Sequence, residues 1–359
     1  MKGAAAARPV GLLIAEAVRD PVTSISVCIA THERPRLLAA TLESLGRQTR
    51  LPDEIIVSDS SSPFSEDVVA QLSARHPAIR IKHLPSSRKA LPWQRWWAFK
   101  HSLGEVVLFL DDDVILCPVA LETLDRAYTN VSASSAPAVA GIGFLLMNEG
   151  GFQPTRNVRS LRERWLRTAA LRCGSLTPGG LAVDLAGLTG SGQLEVDVLS
   201  GGAMSFRRDI LKQVLKLDNL VALYEEGIGR GEDAVLSHYA HERGKLLVIG
   251  QPLAIHPSRA QGVAPYSAEG WRVGITNTWG RANTMRWLSA SWRSYRRDWR
   301  RLASFELARS LGRAIRHPWD RSAWQRFAGA LYGVARTIWR WDQIPLAARD
   351  GIPPTIRTP

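Results

Sequence analysis

Three consecutive aspartates, Asp111, Asp112 and Asp113, interrupt the apolar run VVLFLDDDVIL of residues 106–116. Like charges repel, and burying an uncompensated ion costs on the order of several kcal/mol, so a cation is expected to meet them. Carboxylate oxygens in a compact cluster suit hard divalent cations such as Mg²⁺ or Mn²⁺, which usually keep part of their coordination for phosphate oxygens. The pattern therefore predicts a metal site that binds a diphosphate.

A simpler interpretation is that one of these aspartates caps the helix predicted after Pro118 while the other two are solvated. For a single aspartate at a strand end this interpretation is the better one. Three in a row, directly after a run that resembles a buried strand, favour the metal site.

A second acidic pair, Glu232 and Asp233, opens the predicted helix EDAVLSHYAHERG. The helix dipole favours acidic residues at this position in any protein, so the local context alone indicates capping. His238 and His241 share this helix, but no third ligand follows at a suitable spacing, and we interpret them as ordinary helix-face residues. His256, taken alone, is more often a structural histidine at a strand end than a ligand.

Short β-rich runs alternate with helices of about a dozen residues over the first part of the chain, which is typical of βαβ units around a parallel, doubly wound sheet. In such sheets, ligands bind beyond the carboxyl ends of the strands. The predicted strands are 25–30, 54–58, 79–84 and 105–110, and the predicted helices between them are 36–47 and 93–102.

Polar clusters follow three of these strands, at residues 31–34, 59–62 and 111–113. We expect them to meet at one edge of the sheet. No Gly-x-Gly-x-x-Gly follows the first strand and no Walker-type loop is present, which argues against a dinucleotide site and a P-loop nucleotide site.

The charge is uneven along the 359 residues, whose formal net charge is +13. Residues 271–359 contain 17 Arg and 5 acidic residues, a net of +12, and 9 of the 13 Trp. A nearly neutral body is therefore followed by a basic, tryptophan-rich tail, and we expect the two parts to do different jobs.

Cysteine and hydropathy patterns indicate the compartment. Three cysteines, without paired spacing, are typical of a reducing environment. No run of about 18 uninterrupted apolar residues suggests a membrane span. We predict a cytoplasmic protein with a leader segment at 1–22, a catalytic domain at 23–260 and a helical tail at 261–359.

Five segments in order resemble the inverting, GT-A-type family 2 glycosyltransferases. They are ISVCIATHERPRLLAATLESLGRQT, PDEIIVSDSSS, GEVVLFLDDDV, VDVLSGGAMSFRRDIL and GRGEDAVLSHYAHERGKLLVIGQPLAIHP, between Ile25 and Pro257. The resemblance implies a GT-A fold, a Rossmann-like, mostly parallel sheet flanked by helices, followed here by the helical Arg/Trp-rich extension. It also implies sugar transfer with inversion, assisted by a divalent metal (Mg²⁺ or Mn²⁺), from a nucleotide-sugar donor to a glycan or lipid-linked acceptor in bacterial polysaccharide or glycoconjugate synthesis.

The same resemblance implies roles for individual residues. Asp233 matches the general base, with Glu232 as support, and Gly201 and Gly202 match a segment that lines the acceptor pocket, although they could merely ease a turn. His256 lies where related enzymes often have a histidine near the metal or diphosphate. On the donor side, Thr31, Glu33 and Arg34 match the nucleotide cradle, Asp59 the contact to the base, Asp111 and Asp112 the ribose and diphosphate contacts, and Asp111 and Asp113 the metal ligands.

Two departures from the family pattern concern the donor. Asp59-Ser60-Ser61-Ser62 replaces a more usual Asp-Asn/Asp-Gly-Ser segment, which leaves the nucleotide base open. Arg88 and Lys89 stand where a small or glycine-rich segment is common, and they either touch phosphate or are solvated.

The tail offers two interpretations. Trp292, Tyr295, Trp299 and Leu302 fall on one face of a predicted helix, with five arginines on another, which is typical of an interfacial membrane anchor on the inner face of the membrane. Alternatively, the aromatic face packs on the body and the arginines form its solvated rim. We favour the membrane surface because further tryptophans follow: Trp319, Trp324, Trp339 and Trp341.

Other function classes remain open at this stage. A nucleic-acid binder would suit a pI near 10.3 and arginines interleaved with aromatics, but the charge is confined to the tail and no recognised binding motif is present. A non-catalytic sugar-nucleotide binder would be expected to lack Asp233 or the aspartate trio. A nucleotidyltransferase would typically show a glycine- and lysine-rich loop after the first strand, where this chain has THERPR.

Residues 150–192 separate the two halves of the predicted core. Their first part is a basic helix candidate with Leu161, Trp165 and Leu166 near one face, and their second part is a glycine-rich loop. In this fold class such an insertion commonly covers the acceptor.

Overall fold

The computed structural model of the chain describes residues 23–132, 138–147, 161–183, 185, 188, 192–214, 218–257 and 270–340. The predicted leader and Trp341 lie outside the described residues. The strands are β1 Ile25–Thr31, β2 Glu54–Asp59, β3 Arg80–Pro85, β4 Val106–Asp111, β5 Ile115–Leu116, β6 Val139–Met147, β7 Gln193–Val196, β8 Ala203–Arg207 and β9 Lys245–Ile255.

The predicted helices 36–47 and 93–102 correspond closely to α1 and α3, and in α1 the leucines recur at helical spacing. The helices are α1 Pro35–Gly46, α2 Glu66–Arg75, α3 Leu91–His101, α4 Ala120–Ser132, α5 Leu161–Leu166, α6 Arg208–Val214, α7 Asp218–Glu225, α8 Glu232–His241, α9 Gly270–Ile275, α10 Arg281–Leu288, α11 Trp292–Arg316 and α12 Arg321–Trp339, with a π-helical turn at Thr276–Gly280 between α9 and α10.

Nine strands form one sheet in the order β3-β2-β1-β4-β8-β6-β9-β5, with β7 paired to β9. The predicted α/β class and the helical C-terminal region are confirmed. The expectation of a mostly parallel sheet holds for β1 to β4, whereas the pairs β4–β8, β6–β8, β5–β9 and β7–β9 are antiparallel. The prediction missed this because the βαβ pattern is visible only in the first part of the sequence.

Helices cover both faces of the sheet. One core cluster joins the sheet to α1, α2 and α4 through residues such as Leu42, Leu72 and Leu124. The other joins it to α3, α8 and α10 through residues such as Phe99 and Leu236. The central strands are buried on both faces, which explains why they read as continuous apolar runs in the sequence.

The tail helices pack directly on this body. Trp287 and Leu288 of α10 belong to the second core cluster. In α11, Tyr295, Trp299 and Leu302 are 0%, 4% and 0% exposed, and they pack in a third cluster that includes Leu166, Leu181, Ala282 and Met285. Three of the four residues predicted to lie in a membrane surface are therefore buried inside the protein by α10 and the 161–183 segment, and the fourth, Trp292, is half-buried against the same cluster.

The basic helix predicted inside residues 150–192 is short in the described part of the chain. It spans Leu161–Leu166, and only Leu166 of the predicted face is buried, whereas Leu161 and Trp165 are 80% and 50% exposed. Six residues make too few turns to bury a continuous apolar stripe.

Candidate active site at the carboxyl ends of the strands

The sheet register brings the three polar clusters together. Thr31 pairs with Asp59 on the next strand, and Ala30 pairs with Asp111 on the other side. The buried side chain of Gln94 on α3 donates hydrogen bonds to the carbonyl oxygens of Thr31 and Ser58, both at 2.9 Å. Gln94 therefore ties the ends of β1 and β2 together.

Two arginines and a histidine meet the aspartate trio. Arg34 Nη1 lies 3.3 Å from Oδ1 of Asp112 and 3.2 Å from Oδ2 of Asp113, and His256 Nε2 lies 3.2 Å from the other oxygen of Asp113. Arg95 Nη2 donates to Oδ1 of Asp111 at 3.0 Å. The cation expected from the sequence is thus supplied in part by side chains.

Negative charge still exceeds what these side chains neutralise. Burial, reinforced by the charge of Asp113, raises the pKa of Asp111 above its ordinary value despite Arg95 and His256. Burial and the neighbouring aspartates also raise the pKa of Asp112 to about 7, although Thr31 donates a hydrogen bond to it at 2.7 Å. A site that holds its carboxylates at this cost is one that a divalent cation would stabilise.

Asp111, Asp113 and His256 each offer a ligand atom, and these atoms lie within 4.8 Å of one another. Two carboxylates and one imidazole suit Mn²⁺ well and Mg²⁺ acceptably. The described residues therefore fit a divalent metal, and the residues predicted as its ligands are the ones that the fold brings together.

Arg95 joins the aspartate cluster to the start of α8. Its side chain is 5% exposed, and Nη1 donates to Oε1 of Glu232 at 2.7 Å while Nη2 donates to the carbonyl oxygen of Gly201 at 2.7 Å. Burial disfavours the charged guanidinium, but Glu232 and Asp111 outweigh burial and raise the pKa of Arg95. One buried cation thereby connects Asp111, Gly201 and Glu232.

Glu232 is buried and receives a second hydrogen bond, from the hydroxyl of Tyr224. Burial, together with the adjacent charge of Asp233, raises the pKa of Glu232 to about 7 despite the pairing with Arg95. Glu232 therefore faces inward, toward Arg95 and Tyr224. The next residue along α8, Asp233, is only half-buried and is the one available to a ligand.

Asp233 is positioned by the backbone of the 201–202 turn. Its Oδ2 accepts a hydrogen bond from the Gly201 backbone N–H at 3.1 Å, and a Cβ at Gly201 would lie 3.1 Å from that same oxygen. The backbone N–H of Asp111 donates to the carbonyl oxygen of Gly202 at 3.0 Å. The two glycines thus allow β4 and α8 to approach each other, which the sequence left undecided.

Asp59 is fully buried and turned toward its own loop. Its oxygens accept hydrogen bonds from the backbone N–H groups of Ser61 (2.8 Å) and Ser65 (2.6 Å), and His83 Nε2 lies 3.1 Å from Oδ2. Burial opposes the charged form, but these hydrogen bonds outweigh it and lower the pKa of Asp59. Asp59 organises residues 60–65, and a contact with the nucleotide base stays a prediction.

The remaining predicted donor residues lie at the rim. Glu33 is exposed and adopts a φ of 55°, and its backbone N–H donates to Ser61 Oγ at 2.7 Å. Lys89 is exposed, and its neighbour Arg88 pairs with Glu225 at 2.6 Å and lies over the Trp93 ring. On α8, His238 Nε2 lies 3.8 Å from Oε1 of Glu242.

Arg95, Gln94 and Tyr224 belong to the site but were not predicted from the sequence. A signal for the first two was present, because PWQRWWAFKH places polar residues within an otherwise apolar helix. Buried charges need partners, so an arginine in such a helix predicts a buried ion pair. Tyr224 carried no comparable signal.

Part of the chain matches a known protein family. Residues 26–136 match the sequence model described as Glycosyl transferase family 2. This segment contains Thr31, Arg34, Asp59 and the aspartate trio. No curated protein matches the sequence.

Similar solved structures cover most of the chain at low identity. The mannosyltransferase PcManGT from Pyrobaculum calidifontis, solved with GDP-Man and Mn²⁺, is 17% identical, with 91% of this chain and 90% of that chain covered and a TM-score of 0.49. TarS of S. aureus, solved as residues 1–349, is 15% identical, with coverages of 94% and 98% and a TM-score of 0.43.

A longer form of TarS is also 15% identical, at a TM-score of 0.42. The alignment covers 73% of this chain but 42% of that one, so this chain spans less than half of the longer protein. The family match and the strand-end site agree with each other: the chain is similar to glycosyl transferase family 2 over its residues 26–136, the segment that supplies the aspartate trio.

Proposed function

We propose that this enzyme transfers a sugar from a nucleotide-sugar donor to a hydroxyl group of a glycan or lipid-linked acceptor, with inversion at the anomeric carbon. The observation that carries the proposal is the link that Arg95 makes between Asp111 at the end of β4 and Glu232 at the start of α8. Because Asp233 follows Glu232 on α8, this link supports a role for Asp233 as the base that an attacking hydroxyl needs.

The chemistry follows from these positions. A carboxylate oxygen of Asp233 takes the proton of the acceptor hydroxyl, and the hydroxyl oxygen forms a bond to the anomeric carbon from the face opposite the diphosphate. The bond between that carbon and the diphosphate oxygen breaks, and the nucleoside diphosphate leaves with the electron pair. A single displacement of this kind inverts the configuration.

A divalent metal, Mg²⁺ or Mn²⁺, would be held by Asp111, Asp113 and His256 and would supply positive charge to the departing diphosphate. Asp112, fixed by Thr31 at 2.7 Å, is proposed to bind the donor ribose, and Arg34 to bind its phosphates. Lys89, at the exposed rim, is available to the same phosphates. Each of these roles rests on residue type and position.

The acceptor is proposed to belong to bacterial polysaccharide or glycoconjugate synthesis at the inner face of the membrane. The basic, tryptophan-rich character of the tail supports a lipid-linked or membrane-adjacent acceptor. Among the described residues, no helix is both long enough and apolar enough to cross a bilayer.

Thermal unfolding against UDP, GDP, dTDP and CDP, each with Mn²⁺, with Mg²⁺ or without metal, tests the donor site. Binding to the folded state raises the unfolding midpoint by mass action. We expect one nucleotide to raise the midpoint only with metal, and Asp113→Asn to abolish that rise. Asp125→Asn is the control, because Asp125 is likewise a carboxylate paired with an arginine, Arg50, at 3.6 Å.

Asp233→Asn tests the chemical step. With the nucleotide sugar identified by the first experiment, the variant should keep its nucleotide affinity and lose roughly 10²–10⁴-fold in transfer rate. An NMR assignment of the product anomer reports inversion. Retention of configuration, or full activity of the variant, would remove Asp233 from the base role.

A further inference from the structure

Helix α12 packs through its small residues and exposes its large ones. A Cβ at Gly329 would overlap the carbonyl oxygen of Trp271, and a Cβ at Gly333 would overlap the Thr278 side chain. Gly329, Ala330 and Gly333 therefore form the face that lies against α9 and the π-helical turn. In a helix that only fills a core, the large apolar residues would be on that buried face.

The opposite side of α12 carries an exposed apolar surface, which we call the outer face. Trp339, Ile338, Leu331, Tyr332 and Trp324 are 86%, 61%, 52%, 47% and 43% exposed. Spacings of three, four and seven residues put them on one side of the helix. The outer face consists of Trp324, Ala328, Leu331, Tyr332, Ala335, Ile338 and Trp339.

Cations lie next to this face. Arg336 and Arg340 line a hollow of about 430 Å³ together with Tyr332, Ala335 and Trp339. Residues 321–340 contain four arginines and no acidic residue. Arg336 also lies 3.6 Å from Glu226 and over the Trp279 ring, so its stem is held beside the apolar residues.

Trp271 of α9 extends the surface, because its ring centroid lies 5.3 Å from that of Tyr332. At the α11–α12 turn, Trp319 is 96% exposed. Exposed indoles beside arginines and aliphatic side chains are the composition of a surface that meets the headgroup region of a bilayer. A contiguous apolar patch of this kind marks an interaction site on a globular protein.

We infer that the outer face of α12, with Arg336 and Arg340, docks this enzyme on an anionic lipid bilayer. The inference deepens the proposed work on a membrane-adjacent acceptor and rests on that function for its purpose, although its geometry is independent of the catalytic site. It moves the membrane contact from α11, whose aromatic face is buried, to the helix that follows it.

Two other partners fit the same surface less well. A second copy meeting it across a two-fold axis would oppose the same arginines to each other, with no acidic residue on α12 to compensate. Nucleic acid would find arginines for its phosphates and rings for its bases, but it would leave the aliphatic side chains of Leu331 and Ile338 without an apolar partner. Anionic lipid satisfies both the arginines and the aliphatic side chains.

Co-sedimentation of the full chain with vesicles tests the inference. Vesicles of equal parts phosphatidylglycerol and phosphatidylcholine are compared with pure phosphatidylcholine. We expect binding to be at least about tenfold stronger with the anionic lipid and to weaken in high salt. Ile338→Gln/Trp339→Gln should lower that binding about tenfold or more.

The matched control is Leu103→Gln/Leu161→Gln, which changes two residues that are 66% and 80% exposed elsewhere on the surface. It should bind the vesicles within about twofold of the unchanged chain. All four side chains are exposed, so we expect both double variants to remain folded. The unfolding midpoint checks this.

Several results would overturn the inference. One is an equal loss of vesicle binding in both double variants, and another is full vesicle binding by Ile338→Gln/Trp339→Gln. The others are self-association without vesicles that this variant abolishes, and vesicle binding that appears only when the chain is shortened to end after Arg340. The nucleotide-dependent midpoint shift is measured on the same proteins. A chain that binds vesicles but no nucleotide would refute the proposed function alone, and the reverse result would refute the docking surface alone.

Discussion

Arg95 Nη1 lies 2.7 Å from Oε1 of Glu232, and Nη2 of the same buried guanidinium lies 3.0 Å from Oδ1 of Asp111. Asp111 ends β4 and Glu232 opens α8, so the two carboxylates are 121 residues apart by their numbers. A single cation therefore fixes the distance between the end of β4 and the start of α8.

Replacing Arg95 by glutamine should destabilise the protein by about 3–5 kcal/mol, because two buried carboxylates lose their cation. Arg95→Lys should recover only part of that loss of stability, since a single ammonium nitrogen cannot reach the oxygens of Glu232, Asp111 and Gly201 at once. Urea unfolding measures both. In the lysine variant we expect kcat to fall more than nucleotide affinity; an equal fall in both would mean that Arg95 supports only the fold.

Glu232 should make stability fall as pH rises. Its pKa is about 7 in the folded chain and near 4.3 when unfolded, so the folded state binds the proton more tightly. The stability it contributes is complete below about pH 4 and is lost as pH rises through about 7. We measure the unfolding midpoints of the unchanged chain and of Glu232→Gln from about pH 5 to about pH 8. The two profiles should diverge, because the variant loses less stability as pH rises.

Parallel pH profiles for the two proteins would contradict this assignment. Asp112, whose pKa is also raised to about 7, contributes the same slope to both proteins and cancels from the comparison. The difference between the two profiles therefore reports Glu232.

Asp59 should show the opposite pH dependence. Its pKa is lowered in the folded chain by hydrogen bonds from Ser61, Ser65 and His83, which outweigh burial. It therefore contributes stability above about pH 3.9, and this contribution is lost as pH falls through the folded pKa. Asp59→Asn should cost about 1–3 kcal/mol at neutral pH, because an amide cannot accept both backbone hydrogen bonds.

Chemical unfolding at a series of pH values measures the difference between Asp59→Asn and the unchanged chain. The difference should close at the acid end. If the variant instead unfolds like the unchanged chain at neutral pH, the 60–65 loop does not depend on this carboxylate.

Gly201→Ala should slow catalysis more than it affects folding. The added Cβ would lie 3.1 Å from Cβ and Oδ2 of Asp233, so the carboxylate must shift by a few tenths of an ångström, roughly. We expect about a tenfold loss of transfer rate with unchanged nucleotide affinity. Steady-state kinetics and the midpoint shift measure the two quantities.

Gly312→Ala is the control for this substitution, because nothing lies within 4 Å of a Cβ at that position on α11. It should leave the transfer rate unchanged and stabilise the helix by about 0.5–1 kcal/mol. Equal transfer rates for Gly201→Ala and the unchanged chain would mean that the 201–202 turn does not position Asp233 for the catalytic step.

Local patterns in the sequence determined the first half of the fold. Apolar runs that end in polar clusters predicted β1, β2 and β4 and the edge at which Thr31, Asp59 and the aspartate trio meet, because parallel strands bring their carboxyl ends to one side. The three aspartates were also readable without a structure, since adjacent buried carboxylates require a cation. The grouping of Asp111, Asp113 and His256 agrees with the predicted metal ligands.

Only the tertiary structure decided which partner each remaining residue meets. Arg95 is one arginine among many in the sequence, and its role depends on the return of β8 beside β4 and on α8 beginning at that edge. The same is true of the tail, where α11 and α12 each carry apolar residues on a face. The aromatic side of α11 is buried against α10. In α12 the side that packs on the protein is the one with the small residues Gly329 and Gly333, because helix contacts depend on shape as well as on hydrophobicity.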